Sequence, residues 1–309
     1  GLGDVYKRQM LQRTLKRPMT TIGVGLHSGV RVHLTLLPAK ENSGIQFCRS
    51  DLKAPQNRVI HLCPDLINDT RLSSTIVTED NVRIGTIEHL MSALFALGID
   101  NILIELDGPE IPIMDGSSLS FIHIIKEAGI REQKEEKVFF KLIKPIKIGE
   151  KDKWVSLTLY NGFKLQLTID FNHPVFNRSS QEFIIDFKNA SYIDEIARAR
   201  TFGFMQEMEL MRVHNLGLGG NLSNAIVIDD NSILNPEGLR YEDEFVRHKA
   251  LDAIGDLYVL GHPLVASFKG FKSGHAINNA LLRALKEGVH YEKVRYLQDK
   301  GLPDSFHYV

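Results

Sequence analysis

Cysteine is nearly absent from this chain of 309 residues, with only Cys48 and Cys63 present. That excludes a disulfide-rich secreted scaffold and a zinc cluster built on thiolates. Any metal site must draw on the 12 histidines and the carboxylates. Charge of one sign is lacking too. Lys plus Arg number 37 against 38 Asp plus Glu, a formal net charge of −1. The molecule as a whole therefore has no electrostatic pull toward nucleic acid or an anionic membrane, although a local basic patch is compatible with that total. No apolar run approaches the roughly 20 residues of a bilayer-spanning helix. Neither the G-x-S-x-G nucleophile elbow nor the H-E-x-x-H zinc-peptidase motif occurs. Residues 1–9 (GLGDVYKRQ) have no apolar core segment. They read as a non-native leader ahead of Met10, not as a signal peptide, and a cytoplasmic location is expected.

What is present suits a globular protein: 43% hydrophobic and 24% charged residues, over a length that suggests about two domains. Strand-period alternation runs through Val32-His33-Leu34-Thr35-Leu36. From Thr86 the period becomes helical, with Ile87, Leu90, Met91, Leu94 and Phe95 on one face and Gly98 at the expected stop. A short strand is predicted over Asn101–Leu106 and a second helix over Ser118–Ala128. The charged stretch Arg131–Lys137 has no apolar face and reads as a domain boundary. Strand-like runs resume over Lys141–Ile148, Trp154–Tyr160 and Phe163–Phe171, and Asn161-Gly162 between the last two predicts a hairpin. Helices are predicted over Tyr241–Leu260 and Asn278–Lys286. Strands precede helices in both halves, which predicts an α+β fold rather than a doubly wound parallel sheet.

Several side chains have the spacing for chemistry. His248 and Asp252, four apart on a helix, stack on one face and could share a metal, with Asp256 one turn further along. A solvated polar face is the simpler account of that stripe on spacing alone. Glu88 beside His89 has the form of a metal ligand next to a proton carrier, or of an ordinary surface pair. His275, in Lys272-Ser273-Gly274-His275, follows a loop and can titrate near neutral pH, or simply cap or pack. Arg200-Thr201-Phe202-Gly203-Phe204 sets a hydroxyl between a cation and two aromatics, or is plain core. Gly217-Leu218-Gly219-Gly220-Asn221 precedes a strand instead of following one, so it is a turn and not a dinucleotide loop.

Six segments together resemble the UDP-3-O-acyl-N-acetylglucosamine deacetylases, zinc amidases at the committed step of lipid A biosynthesis in Gram-negative bacteria. They are Thr86-Ile87-Glu88-His89-Leu90, Ile111–Ser117 (IPIMDGS), Asp170–Pro174 (DFNHP), Ala199–Phe204 (ARTFGF), Phe245–Asp256 (FVRHKALDAIGD) and Lys272–His275 (KSGH). The likeness runs from about Gln12 to about Leu285.

The resemblance implies His89, His248 and Asp252 as zinc ligands, Glu88 as general base, and His275 as catalytic histidine. It makes Asp256 the carboxylate that holds His275, and Thr201 the hydroxyl near the oxyanion. It implies two similar α/β layers of the ribosomal protein S5 domain 2-like kind, packed helix to helix with zinc between them. One would span 10–130, the other 138–300, with an acyl-passage insert near 196–227. Lys249, Lys153 and Lys272 would face a diphosphate, Phe171 the uracil, and Phe202 the substrate. Met205, Met208, Met211, Leu222 and Val227 are candidates to line the passage, although methionines at helical spacing are ordinarily core. The chain departs from the family pattern at Gly217, where relatives often carry cysteine, and at Asn221-Leu222, where they often carry Ser-Phe. The family's acyl-length preference therefore does not carry over. The partner implied is UDP-3-O-acyl-N-acetylglucosamine, with no nucleic acid and no stable membrane insertion, and a monomer is expected. Two other readings are an amidase of the same fold acting on another acylated sugar, and a catalytically dead sugar-nucleotide-binding protein. Every expected catalytic position is filled, which speaks against the second.

Overall fold

The computed structural model describes residues 10–295. The leader call (1–9) and the last part of the second domain call (296–300) lie outside the described residues. Within them the fold is mixed α and β, and no helix is long and apolar enough to cross a membrane.

The N-terminal half is built on a five-stranded sheet. Its order is Met19–Val24, Arg31–Pro38, Ile102–Leu106, Ile45–Arg49, Ile60–His61. Arg31–Pro38 alternates as predicted, with Val32, Leu34 and Leu36 fully buried. A small three-stranded sheet follows, of Ile67–Asp69, Thr75–Val77 and Arg83–Ile84. Helix α1 (Glu88–Leu97) packs beside helix α2 (Leu119–Ala128), which packs against Met19–Val24. Gly98 closes α1 in the left-handed region at φ 63°, a conformation that glycine adopts without a Cβ penalty. The sequence pattern predicts one apolar face for α1, yet all ten of its residues are buried.

The C-terminal half carries a seven-stranded sheet. Leu264–Phe271 lies between Lys153–Thr158 and Phe163–Thr168. The predicted hairpin at Asn161-Gly162 is therefore corrected. The chain does reverse there, but Leu264–Phe271 inserts between the two arms, antiparallel to the first and parallel to the second. A turn motif specifies the reversal; it does not make the arms neighbours.

Among the described residues four α-helices belong to this half: α3 (Tyr192–Glu195), α4 (Met205–Val213), α5 (Glu244–Tyr258) and α6 (His275–Glu287). α6 starts three residues earlier than the pattern predicts. Most of the charged segment Arg131–Lys137 is a strand. Ile130–Glu136 is a strand paired antiparallel with Leu11–Leu15, and the Lys137 ammonium is buried 2.6 Å from the Asp100 carboxylate. Only Gln133 of this strand is buried, and its charged side chains follow no two-residue alternation, so no strand period shows.

The junction that matters is α1 against α5. Gly255 of α5 meets α1 backbone to backbone. A Cβ there would lie 2.0 Å from the Glu88 carbonyl oxygen, so only glycine permits the approach. The Tyr258 hydroxyl, one turn on, donates to Ile99 O at 2.8 Å. The aliphatic side chains packed here are fully buried, each worth about 1.5–3 kcal/mol.

Candidate active site

The crossing of α1 and α5 brings together residues far apart in sequence. α1 offers Glu88 and His89 in its first turn, and α5 offers His248 and Asp252 one turn apart. One ligand atom from each of His89, His248 and Asp252 lies within 4.8 Å of the other two, and all three residues are buried. His89 Nε2 is 3.4 Å and His248 Nε2 is 3.3 Å from Asp252 Oδ1. The His248 Nδ1–H donates to Ala199 O at 3.0 Å, which leaves the Nε2 lone pair facing Asp252. Burial pushes His248 down to about 4, so the ring is neutral near pH 7 and able to ligate. Asp252 Oδ1 is buried without a hydrogen-bond donor. Burial opposes its charge, but the imidazoles and the Lys249 ammonium, 2.7 Å from Oδ2, hold this carboxyl well below its ordinary value. A buried anionic oxygen facing two imidazole nitrogens fits a divalent cation and leaves little else to satisfy it.

Beside this cluster lie two more titratable groups, Glu88 and His275. Burial raises Glu88 above its ordinary value. Its Oε2 accepts the Ser74 N–H at 3.0 Å and its Oε1 is 3.7 Å from His275 Nε2. His275 opens α6 and sets Nδ1 2.9 Å from Asp256 Oδ2. Burial would lower this imidazole, but Asp256 and Glu88 outweigh burial and push it up to about 9. Asp256 also accepts the Ser74 hydroxyl at 2.6 Å and the Asn278 amide at 2.8 Å.

Most of these groups line one part of a cavity of about 310 Å³. Glu88, His89, Thr201, His248, Lys249, Asp252 and His275 are in its wall, as are Phe171, Phe202, Met208 and Met211. Thr201 is pinned through its backbone, its N–H donating to Gly116 O and its carbonyl accepting from Ile226, both at 2.8 Å. Phe171 stacks on Phe176 at 4.4 Å and meets Phe202 edge to face at 5.9 Å. The methionines of α4 are not core: no residue of that helix is buried, and Met208 and Met211 face the cavity near Gly203 and Gly217.

Other named residues are not in that wall. Asp256 stands behind His275. Lys272 pairs with Asp170 at 2.6 Å. The Lys153 ammonium lies 3.9 Å from where a Cβ on Gly274 would be, next to His275. Met205 and Leu222 are exposed on the surface, whereas Val227 is buried in a two-stranded parallel pair, Phe202–Phe204 with Ile226–Ile228. Arg200, the core alternative in its motif, is fully buried against Glu244 at 2.9 Å.

Sequence reasoning missed His27, Leu26, Leu72 and Thr86 in the wall, and Ser74 and Glu110 behind it. Glu110 accepts the backbone N–H groups of His27 and Ser28 and the Thr86 hydroxyl. A histidine in a glycine-flanked loop (GVGLHSG) was the one available signal for His27. Ser74, in a run of small hydroxyl residues, offered none.

Residues 12–287 match the family model for UDP-3-O-acyl N-acetylglycosamine deacetylase. The chain is 66% identical over 299 residues to a UDP-3-O-acyl-N-acetylglucosamine deacetylase of Neisseria meningitidis serogroup B, covering 96% of this chain and 97% of that one. It is 55% identical over 299 residues to the Chromobacterium violaceum protein of the same name, covering 96% and 98%. With that of Shewanella halifaxensis the identity is 49% over 298 residues, covering 96% and 97%.

Proposed function

The chain belongs to the UDP-3-O-acyl N-acetylglycosamine deacetylase family, and on that premise we propose how its residues perform the reaction. It is a hydrolase acting on a linear amide. Its reaction removes the N-acetyl group of UDP-3-O-acyl-N-acetylglucosamine in lipid A biosynthesis, giving acetate and the free amine. The single observation that carries the residue assignment is the convergence of His89, His248 and Asp252 beside Glu88 and His275 in one cavity.

His89, His248 and Asp252 would hold zinc, a ligand set that leaves a position open. When bound, zinc supplies Lewis acidity that polarises the acetyl carbonyl and lowers the pKa of a water to about 7 from roughly 16. Glu88, raised by burial, takes the proton from the attacking water as it adds to the carbonyl. The Thr201 hydroxyl faces the developing oxyanion, where one well-placed donor is worth ~3–4 kcal/mol. An amine leaves poorly unless protonated. His275, held cationic by Asp256, gives it that proton or stabilises the anion.

Substrate subsites follow the wall. Phe202, Met208 and Met211 line an apolar passage for the acyl chain, with Met205, Leu222 and Val227 on the same segment. Phe171 carries the uracil. Lys249, which already pairs with Asp252 from the wall, meets the diphosphate with Lys153 and Lys272 at the rim. The N-terminal unit spans 10–130 and the C-terminal unit 138–300, each a ribosomal protein S5 domain 2-like layer. The close contact of α1 with α5 supports that helix-to-helix packing. The protein works in the cytoplasm as a monomer. Deacetylation of UDP-3-O-acyl-N-acetylglucosamine tests the reading. Acetate and free amine should appear in equal amounts, stop on chelation and resume on adding zinc; turnover indifferent to chelator would contradict it.

A further inference from the structure

Ser74 sits between two short strands, just before Thr75–Val77, at 2% exposure. Three of its atoms reach the reaction centre. Its N–H donates to Glu88 Oε2 at 3.0 Å. Its carbonyl accepts the N–H of Ile87, immediately ahead of α1, at 3.2 Å. Its hydroxyl donates to Asp256 Oδ1 at 2.6 Å. We propose that Ser74 is a positioning residue for the deacetylation, its hydroxyl locking the Asp256 carboxylate, and through it the His275 imidazole, in register with Glu88. The assignment rests on the deacetylase reading above and deepens it.

The argument is geometric. An ionised carboxylate only accepts hydrogen bonds, so the Ser74 hydroxyl hydrogen must point at Asp256. Asp256 takes Ser74 on Oδ1 and the Asn278 amide, from α6, on Oδ2 at 2.8 Å. Donors on both oxygens fix the rotation of the carboxylate. His275 Nδ1 lies 3.1 Å from one oxygen and 2.9 Å from the other, so the ring follows the carboxylate plane. The opposite ring nitrogen is thereby aimed at Glu88 Oε1, 3.7 Å away. Ser74 thus ties the two proton-handling groups together, holding Glu88 through its backbone and His275 through its side chain. Without the hydroxyl, one carboxylate oxygen loses its second donor and the imidazole is free to tilt.

Ser74→Ala separates these two functions, because it keeps both backbone hydrogen bonds and removes only the hydroxyl. The expected result is a fall in kcat of roughly 10- to 100-fold, the range for one hydrogen bond to a charged group. KM and bound metal should stay unchanged. Ser74→Thr should restore kcat to within a few-fold, since it keeps the hydroxyl. In an Asp256→Asn background, Ser74→Ala should cost nothing further. Proton NMR of the His275 Nδ1–H reports the same geometry without turnover, and its resonance should move in Ser74→Ala but not in Ser74→Thr. Wild-type kcat in Ser74→Ala would overturn the proposal. So would equal loss in the Thr and Ala variants, full additivity with Asp256→Asn, or an unmoved resonance. If Ser74→Ala does not fold, Ser74→Cys, whose thiol is a weak donor, replaces it; intermediate kcat supports the role and wild-type kcat refutes it. A wild-type chain that deacetylates nothing would sink the functional reading, while the NMR comparison would still decide the role of Ser74.

Discussion

Gly255→Ala is the most informative perturbation of the α1–α5 crossing. The added Cβ would lie 2.0 Å from the Glu88 carbonyl oxygen and 2.8 Å from its carbon, against an ordinary contact of at least 3.4 Å. Both atoms are backbone, so no rotamer change relieves the clash. The helices must separate by about 1.4 Å where they cross, and the residue pushed is Glu88, next to His89. Alanine is favoured over glycine in a helix by about 1 kcal/mol, which opposes the clash. Overpacking of this kind costs ~1–3 kcal/mol, so net destabilisation is expected. The effect on chemistry is larger than that on stability. The 3.4 Å approach of His89 to Asp252 widens, and a displacement near 1 Å in a reacting geometry can cost about 100-fold. Thermal unfolding, metal content and kcat/KM measured on one preparation test this. A lower midpoint, weaker metal retention and kcat/KM down roughly 100-fold are expected. Wild-type values for metal and turnover would refute the reasoning that this glycine sets the site.

Glu88→Ala and His275→Ala should each lower turnover by at least ~100-fold, the lower end for acid–base groups; a near-normal rate in either removes that residue from the mechanism. The His275 imidazole stays cationic until pH rises through about 9, so wild-type activity should fall on that alkaline limb, and a pH–rate profile of His275→Ala should lack it. The same raised value makes its share of stability complete below its ordinary 6.5 and lost as pH rises through about 9, which thermal unfolding against pH checks. Lys249→Ala and Lys153→Ala should weaken binding of free UDP, measured by calorimetry, and unchanged affinity would refute their phosphate role.

Much of the fold was legible because its signals are local. The alternation at Val32–Leu36 and the Gly98 stop mark elements that neighbours do not overrule. The hairpin at Asn161-Gly162 was misread because pairing is decided by Leu264–Phe271, roughly a hundred residues later in the chain. The strand within Arg131–Lys137 was not legible, and neither was the buried partner of Lys137, Asp100, which no window around it contains. The site shows the same division. Spacing put His248 and Asp252 on one helical face, but nothing local joined them to His89, and resemblance supplied that link. Ser74 and Glu110 were invisible because their roles lie in contacts with Asp256 and with the His27 loop. Spacing alone could not place the α4 methionines, because a helical period does not tell a packed interior from the wall of a cavity.

The central claim is that one divalent ion is gripped by two helices distant in the chain, and metal stoichiometry tests it most directly. Elemental analysis should give about one zinc per wild-type chain. His89→Ala on α1 and Asp252→Ala on α5 should each lose most of it while remaining folded. Full metal occupancy in either variant would contradict the account.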